Sequence, residues 1–418
     1  MPSTIDTMTT EQPVTAETPA TGGAESAPAP ATPAPDQTDR AILAGLEQHD
    51  GPLGCPCDVL VIDDATGALT AAALDAAAEH SDAVVVSWTS SYRRAHELAA
   101  LFARQIADGR LRVPTGPEPV TLEEAATQAE AHAVIGRLPA SLAALDAIAR
   151  QVARAYPECG CALALGGRTK HMTPSQNAVL AESFEIVDAA LGVAKSRALV
   201  AQEARTQIGP PAVAEHAIAI PVGGSERTIA LRGIGGVFGS AAADAGSLLL
   251  LTALDENLSD RANAALDVVD LGSGNGLLSA WAAAAMPSAR VLATDDDADA
   301  VVSTRATLHA NAIDPQQWRA TWDDAASREP DASADLVLLN PPFHDGTAID
   351  PTLVQGLLDA AARLLRPGGE LWFVHNSHLR YRTEVERRVG PVTQRARDRR
   401  FTVLSARRRA DTRPGASR

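Results

Sequence analysis

Two tandem α/β domains, each of doubly wound, Rossmann-like design, are predicted by three observations. Apolar runs of strand length alternate with Ala-rich stretches of helical length, that alternation occurs twice, and the chain of 418 residues exceeds the usual size of one domain. Apolar residues make up 45% of the chain but aromatics only 3%, so the core is expected to rest on small side chains that let helices approach sheets closely.

Residues 1–39, rich in Ala, Pro, Thr and Glu, lack a hydrophobic period and cannot bury enough surface to offset ordering entropy; they read as a disordered tail. The tail has no basic start followed by an apolar stretch, and no apolar run approaches the roughly 18 residues of a membrane span. A soluble, cytoplasmic protein is therefore expected. The first domain is placed at residues 40–205. Asp58–Asp63 reads as a buried strand, followed by an Ala-rich helix to about His80, a strand at Ala83–Trp88 and a helix at Tyr92–Ile106. Ser141–Ala155 is an amphipathic helix, and Cys161–Leu165 a short strand ended by Gly166 and Gly167. Residues 206–232 read as a linker.

The second domain, residues 233–409, repeats the pattern more clearly. A strand at Leu266–Leu271 leads through a glycine turn and a helix to a strand at Arg290–Thr294 and a helix at Ala298–Ala310. Strand Leu336–Leu339, helix Thr352–Leu365 and strand Glu370–His375 follow, and Phe401–Leu404 suits an antiparallel edge. Residues 410–418 read as a second disordered tail.

A net charge of -16 argues against indiscriminate coating of nucleic acid, but the sign reverses at the end of the chain. Arg380 to Arg418 holds 13 Arg, no Lys and 4 acidic residues. The closely spaced Arg387, Arg388, Arg395, Arg397, Arg399 and Arg400 form a candidate phosphate patch, with a solvated, frayed terminus as the plainer reading. Four cysteines fall as Cys55 with Cys57 and Cys159 with Cys161. Structural zinc sites usually separate paired ligands by two or more residues, so reduced thiols and no metal are expected.

Asp270-Leu-Gly272-Ser-Gly274-Asn275-Gly276 follows a strand and opens a helix, the context in which a glycine-rich turn carries meaning. A ligand can approach such a backbone without meeting a Cβ. The spacing is Gly-x-Gly-x-Gly rather than the dinucleotide pattern, and Asp270 at the strand end can meet the cationic amino-acid end of S-adenosyl-L-methionine directly or through water. The next strand ends in Asp295-Asp296-Asp297. Asp295, first after the apolar run, is the candidate acceptor for two ribose hydroxyls; Asp296 and Asp297 read instead as caps of the next helix. Near Thr321-Trp322-Asp323 the chain is expected to pass the adenine, with Asp323 accepting from its amino group and Trp322 either stacking or filling the core.

Asn340-Pro341-Pro342-Phe343 follows a buried strand at the carboxyl edge of the sheet, where open α/β folds hold ligands. An aromatic exocyclic amine is a poor nucleophile, because its lone pair is delocalised, and must become tetrahedral to attack a methyl group. The Asn340 side-chain oxygen and the Pro341 carbonyl can accept its two hydrogens and favour that geometry. Pro341 keeps Asn340 out of the helical region, Pro342 stiffens the turn, and Phe343 can stack on a base. His344 can orient the base or shuttle a proton, or serve as a structural hydrogen-bonding residue. The methylated amine is itself acidic, so no strong base is required. The first half has no Gly-x-Gly, no carboxylate at the end of its second strand and no Asn-Pro-Pro, and it is expected to bind no cofactor.

These residues resemble the bacterial ribosomal-RNA guanine-N2 methyltransferases of the RsmC/RlmG type, class I enzymes with a "methyltransferase small" domain. Gly236-Val-Phe238 and Asp244-Ala-Gly246-Ser-Leu-Leu-Leu250 look like the family's lead-in, Asn340-Pro-Pro-Phe-His344 its catalytic signature, and Asn376-Ser-His-Leu-Arg-Tyr381 with Phe401-Thr-Val-Leu404 its closing segment. Leu138-Pro139 and Lys170-His-Met-Thr-Pro-Ser175 look like its degenerate first domain. The resemblance implies a degenerate N-terminal and a catalytic C-terminal domain. It implies S-adenosyl-L-methionine as donor, the N2 amine of a guanine in 16S or 23S ribosomal RNA as acceptor, and ribosomal RNA or a ribosomal subunit as partner; a monomer is expected separately. Ser273 stands where the family commonly has Cys. Methylation of adenine or of a protein glutamine, and a non-catalytic RNA-binding assembly factor, are the competing readings. Phe343 and the strand-helix first domain speak against the glutamine enzymes.

Overall fold

The structure, a computed structural model, describes residues 33–49, 57–80, 83–157, 160–237, 240–341 and 351–409. Helix α1 (Gln37–Gln48) begins inside the segment expected to be a tail, because Asp36 caps it: the Asp36 carboxylate accepts from the Thr38 and Asp39 backbone N–H groups at 2.7 and 3.0 Å. The first half continues as β1 (Asp58–Ile62), α2 (Ala68–Ala76), β2 (Val85–Trp88), α3 (Tyr92–Leu101), α4 (Ala103–Ala107) and β3 (Leu111–Arg112), then α5 (Leu122–Gln128), β4 (Ala131–Arg137) and α6 (Leu142–Ala155). It ends with β5 (Ala162–Arg168), α7 (Pro174–Ala181), β6 (Phe184–Ala189) and β7 (Ser196–Ala204). Strand β5 runs on through Gly166 and Gly167 instead of stopping there. The reason lies above it: a Cβ on Gly166 would run into Ile42 of α1, so the glycine admits the helix to the sheet.

Residues 206–232, expected as a linker, contain most of a hairpin, β8 (Val213–Val222) and β9 (Ser225–Ile234), joined at Gly223-Gly224 with φ of 61° and 76°. Alternation of side chains along β8 and β9 buries Ile220, Ile229 and Leu231 in the core of the second half, a period-two signal masked in the sequence by exposed alanines and charges.

The second half is α8 (Ala245–Leu258), β10 (Asp267–Leu271), α9 (Leu277–Ala285), β11 (Arg290–Asp295), α10 (Ala298–Ala310), β12 (Trp318–Trp322) and β13 (Ala334–Leu339). It continues with α11 (Pro351–Leu364), β14 (Leu365–Asn376), α12 (Arg382–Arg388), β15 (Val392–Arg397) and β16 (Phe401–Arg407). The two seven-stranded sheets have the same order, β3-β2-β1-β4-β5-β7-β6 and β12-β11-β10-β13-β14-β16-β15. In each, the first five strands are parallel and the sixth runs antiparallel to both neighbours; Phe401–Leu404 lies in that sixth strand, antiparallel as expected but one place in from the edge, which β15 forms. Small residues do the packing: a Cβ on Gly276 would stand 2.9 Å from Thr304 Cα, so this glycine sets how closely α9 approaches α10.

The halves meet through equivalent loops. The Tyr92 N–H donates to Asp296 O at 2.8 Å and the Ala298 N–H to Ser90 O at 2.9 Å, a short antiparallel bridge across Ser91 and Asp297. The Asp296 carboxylate accepts from Ser91 Oγ at 2.6 Å and the Arg93 N–H at 2.7 Å. Among the described residues no helix is long and apolar enough to cross a membrane.

Candidate active site

Strand β10 sits between β11 and β13, so the loops leaving all three converge at one carboxyl edge. One cavity there is lined by Gly272, Ser273, Gly274 and Asn275 of the glycine turn, by Asp244 and Ser247 at the start of α8, and by Asn340 after β13. The turn is open on that side. Gly272 and Gly274 take φ of 84° and 54°, and nothing lies within 4 Å of where their Cβ atoms would be. Gly276, at φ 80°, is instead a packing glycine and caps α9. Asn275 anchors the turn, its Nδ2 donating to Ser240 O at 3.0 Å and Ala242 O at 2.9 Å.

The three expected carboxylates have three different settings. Asp270 is fully buried beneath the turn: Oδ2 accepts from Ser279 Oγ at 2.6 Å, while Oδ1 has no partner. Burial pushes its pKa up to about 7. An orphaned buried acceptor under an open glycine turn fits the cationic end of S-adenosylmethionine. Asp295 is half-buried, accepts from the Gly274 N–H at 2.8 Å and the Asp297 N–H at 3.0 Å, and is pushed up to about 6 by burial. It thus ties the end of β11 to the turn and has lone pairs to spare that can accept from ribose hydroxyls. Asp297 caps α10 through the Asp299 N–H, and Asp296 serves the contact with the first half.

Asp323 stands beside Asp295 at the same strand ends, its N–H donating to Asp295 O at 3.0 Å. It is 1% exposed, Oδ1 accepting from Ser327 Oγ at 2.6 Å and Oδ2 from the Arg328 N–H at 3.0 Å, so it also closes the turn after β12. Trp322 takes the core reading: it is 2% exposed, its Nε1–H donates to Ser90 O and Asp296 O, and its ring meets Tyr92 edge-on.

Asn340 is held firmly. Its Nδ2 donates to Asp244 Oδ2 at 2.9 Å and to Ser247 Oγ at 2.8 Å. Asp244 and Ser247 entered the sequence reading only as part of a lead-in; their signal was an Asp at the N-cap of a long apolar helix. Pro341 follows, buried. Pro342, Phe343 and His344, like Phe238, Cys55 and Cys159, lie outside the described residues. Cys57 stands 3.3 Å from His132 Nδ1, and Cys161 is buried at the start of β5.

The arginine-rich end is partly a brace. Arg387 pairs with Glu384 at 2.7 Å, Arg388 with Glu384 and Asp359, and Arg395 donates to Asn257 while lying over Trp372. Arg397 and Arg399 remain exposed beside the β15–β16 turn.

The strand registers align the halves residue by residue. Ile62 pairs with Trp88 and Gly136, as Leu271 pairs with Thr294 and Leu339. Position for position, Thr89 stands where Asp295 stands, Val61 where Asp270 stands, and Arg137 where Asn340 stands. The first-half turn is filled by its own side chain: Asp64 accepts from the N–H groups of Thr66, Gly67 and Thr70 at 3.2, 2.9 and 2.8 Å.

Comparison with known proteins divides the chain at the same place. Residues 28–205 match the RLMG N-terminal domain family and residues 228–405 the Methyltransferase small domain family. A protein named ribosomal RNA large subunit methyltransferase G, from Shewanella amazonensis, is 30% identical over 374 residues, spanning 89% of this chain and 91% of the relative. The protein of that name from Streptomyces coelicolor is 45% identical over 139 residues, 33% of this chain and 37% of its own. Among solved structures, the T. thermophilus 16S rRNA N2 G1207 methyltransferase, in complex with AdoMet and guanosine, has a TM-score of 0.68 at 25% identity, over 90% of this chain and 92% of its own.

Proposed function

The chain belongs to the family of ribosomal RNA large subunit methyltransferase G, and from that premise we propose that its C-terminal domain methylates the N2 amine of a guanine in ribosomal RNA through Asn340 and Pro341. The protein is an S-adenosylmethionine-dependent methyltransferase. The donor supplies an electrophilic methyl group on a sulfonium. Gly272 and Gly274 bring backbone to it without a Cβ in the way, Asp270 offers a buried acceptor to its charged end, and Asp295 accepts from its ribose.

The observation that carries the reading is the fixed amide of Asn340. With Nδ2 turned to Asp244 and Ser247, Oδ1 is left to accept one amine hydrogen, and the Pro341 carbonyl accepts the other. Holding both hydrogens draws the nitrogen lone pair out of the ring and aims it at the methyl carbon. Pro342 stiffens this holder, Phe343 stacks on the base and His344 orients it. Part of the phosphate backbone rests against Arg397 and Arg399. A large-subunit guanine fits the name of the relatives. A cytoplasmic protein is the reading that fits a ribosomal RNA substrate.

Two measurements test this. Mapping methylguanosines in ribosomal RNA of a strain lacking the gene should reveal one missing N2-methylguanosine, restored by the wild-type gene and not by Asn340→Ala; an unchanged map would refute the substrate. Calorimetry should show cofactor affinity about 10- to 100-fold weaker in Asp295→Ala and kept in Asn340→Ala.

A further inference from the structure

We infer that Asp244 is a positioning residue that sets which end of the Asn340 amide faces the substrate. The inference rests on the reading of Asn340 given above. An asparagine amide can be turned either way, and only its oxygen can accept from an amine. A carboxylate is acceptor-only, and the edge of Asn340 that faces Asp244 is the nitrogen.

Ser247 Oγ gives its hydrogen to Asp244 Oδ2 at 2.5 Å, which leaves the hydroxyl as an acceptor, and Asn340 Nδ2 donates to this pair of oxygens, Asp244 Oδ2 and Ser247 Oγ. Asp244 is itself immobile. Its Oδ1 accepts from the Gly246 and Ser247 N–H groups at 2.8 and 3.1 Å at the N-terminus of α8, where the helix end also favours its negative charge. A Cβ on Gly246 would stand 2.9 Å from Asp244 Oδ1 and 3.2 Å from the Phe401 ring, so the cap is tightly seated. A carboxylate behind the amide also polarises it, making Oδ1 a better acceptor as positive charge grows on the attacked amine.

The first half contains the same triangle with different chemistry. Asp36 caps α1 as Asp244 caps α8, Asp39 stands three residues on as Ser247 does, and Arg137 occupies the position of Asn340. Arg137 pairs with Asp36 at 2.9 Å and with Asp39 at 2.7 Å. The fold thus ties the first helix to the fourth strand at this corner in both halves. A guanidinium offers no acceptor beyond the tie, whereas an amide held by its nitrogen does.

Asp244→Asn keeps a good N-cap and the side-chain shape but can donate to Asn340, releasing the choice of edge. A loss of about 10- to 100-fold in kcat is expected, the scale seen when a group supporting a reacting side chain is removed, with cofactor Kd and thermal midpoint near wild type. The deciding experiment is a double-mutant cycle in the full chain with Asn340→Ala. If Asp244 acts through Asn340, adding Asp244→Asn to Asn340→Ala changes kcat by less than about twofold. A purely structural tie would reduce kcat by the same factor in both backgrounds, and that result, or full activity of Asp244→Asn, overturns the inference. Full activity of Asn340→Ala would instead overturn the reading of Asn340 itself.

Discussion

The glycine turn of the second half and the equivalent turn of the first share a backbone path and differ in what fills it. Gly272 and Asp63 both leave the first strand at positive φ, 84° and 48°, and both donate to the second strand, to Thr294 O and Trp88 O at 2.9 Å. Gly276 and Gly67 both sit left-handed, at 80° and 89°, ahead of a helix. Between these shared points the first half places Asp64, whose carboxylate takes three backbone N–H groups, and the second places Gly274, with open space above it. The lesson is that the doubly wound fold needs the two left-handed positions, while ligand capacity depends on the residues between them. A turn satisfied by its own carboxylate has no donors left to offer.

Matched substitutions sharpen or break this comparison. The largest effect is expected at Gly274→Ala, which adds a Cβ at φ 54° on the cavity side: cofactor affinity should fall about 100-fold or more by calorimetry, as strain and lost approach add. Ala65→Gly, at the matching place in the first half, should leave affinity unchanged. Asp295→Ala should lower affinity about 10- to 100-fold, the scale of hydrogen bonds to a charged group, whereas Thr89→Ala at the equivalent strand end should not alter it. An affinity loss from either first-half change would mean that both turns take part in binding.

A shared role predicts equal outcomes. Gly67→Ala and Gly276→Ala should each cost about 1–3 kcal/mol in denaturant unfolding, since their Cβ atoms would stand 2.7 Å from Leu101 Cδ2 and 2.9 Å from Thr304 Cα. A large cost in one half alone would break the claim that the turns are structurally equivalent.

The smallest effects concern pH. Burial pushes Asp270 and Asp297 up to about 7 and Asp295 up to about 6, against an ordinary value of 3.8. Between pH 4 and 7 the folded protein therefore binds more protons at these sites than the unfolded chain, so their contribution to stability falls as pH rises through that window. Ribose hydroxyls favour ionised Asp295, so cofactor affinity should move the other way and weaken as pH drops below about 6. Asp297→Asn should raise the thermal midpoint at pH 7.5 by a few degrees and flatten the profile without altering affinity.

Much of the second half was legible in the sequence because its signals are local. Helix Ala298–Ala310, the strands flanking the glycine turn and the position of Asn340 all follow from apolar period and turn chemistry. What was illegible depended on distant partners. The hairpin at Val213–Ile234 shows its buried face only once α10 lies against it: the Asn311 side chain bonds the backbone of Ala230 at 2.9 and 2.8 Å. Asp323, like Asp295 a carboxylate after an apolar strand, gains partners that no local pattern announces, because Ser327 and Arg328 fold back onto it. Trp322 gained its role from the first half, more than two hundred residues away in sequence.

Titration of S-adenosylmethionine into the full chain, followed by isothermal calorimetry, tests the central claim most directly. One site per chain is predicted, abolished by Gly274→Ala and untouched by Asp64→Ala so long as that variant remains folded. Two sites per chain, or a single site that survives Gly274→Ala, would contradict the account.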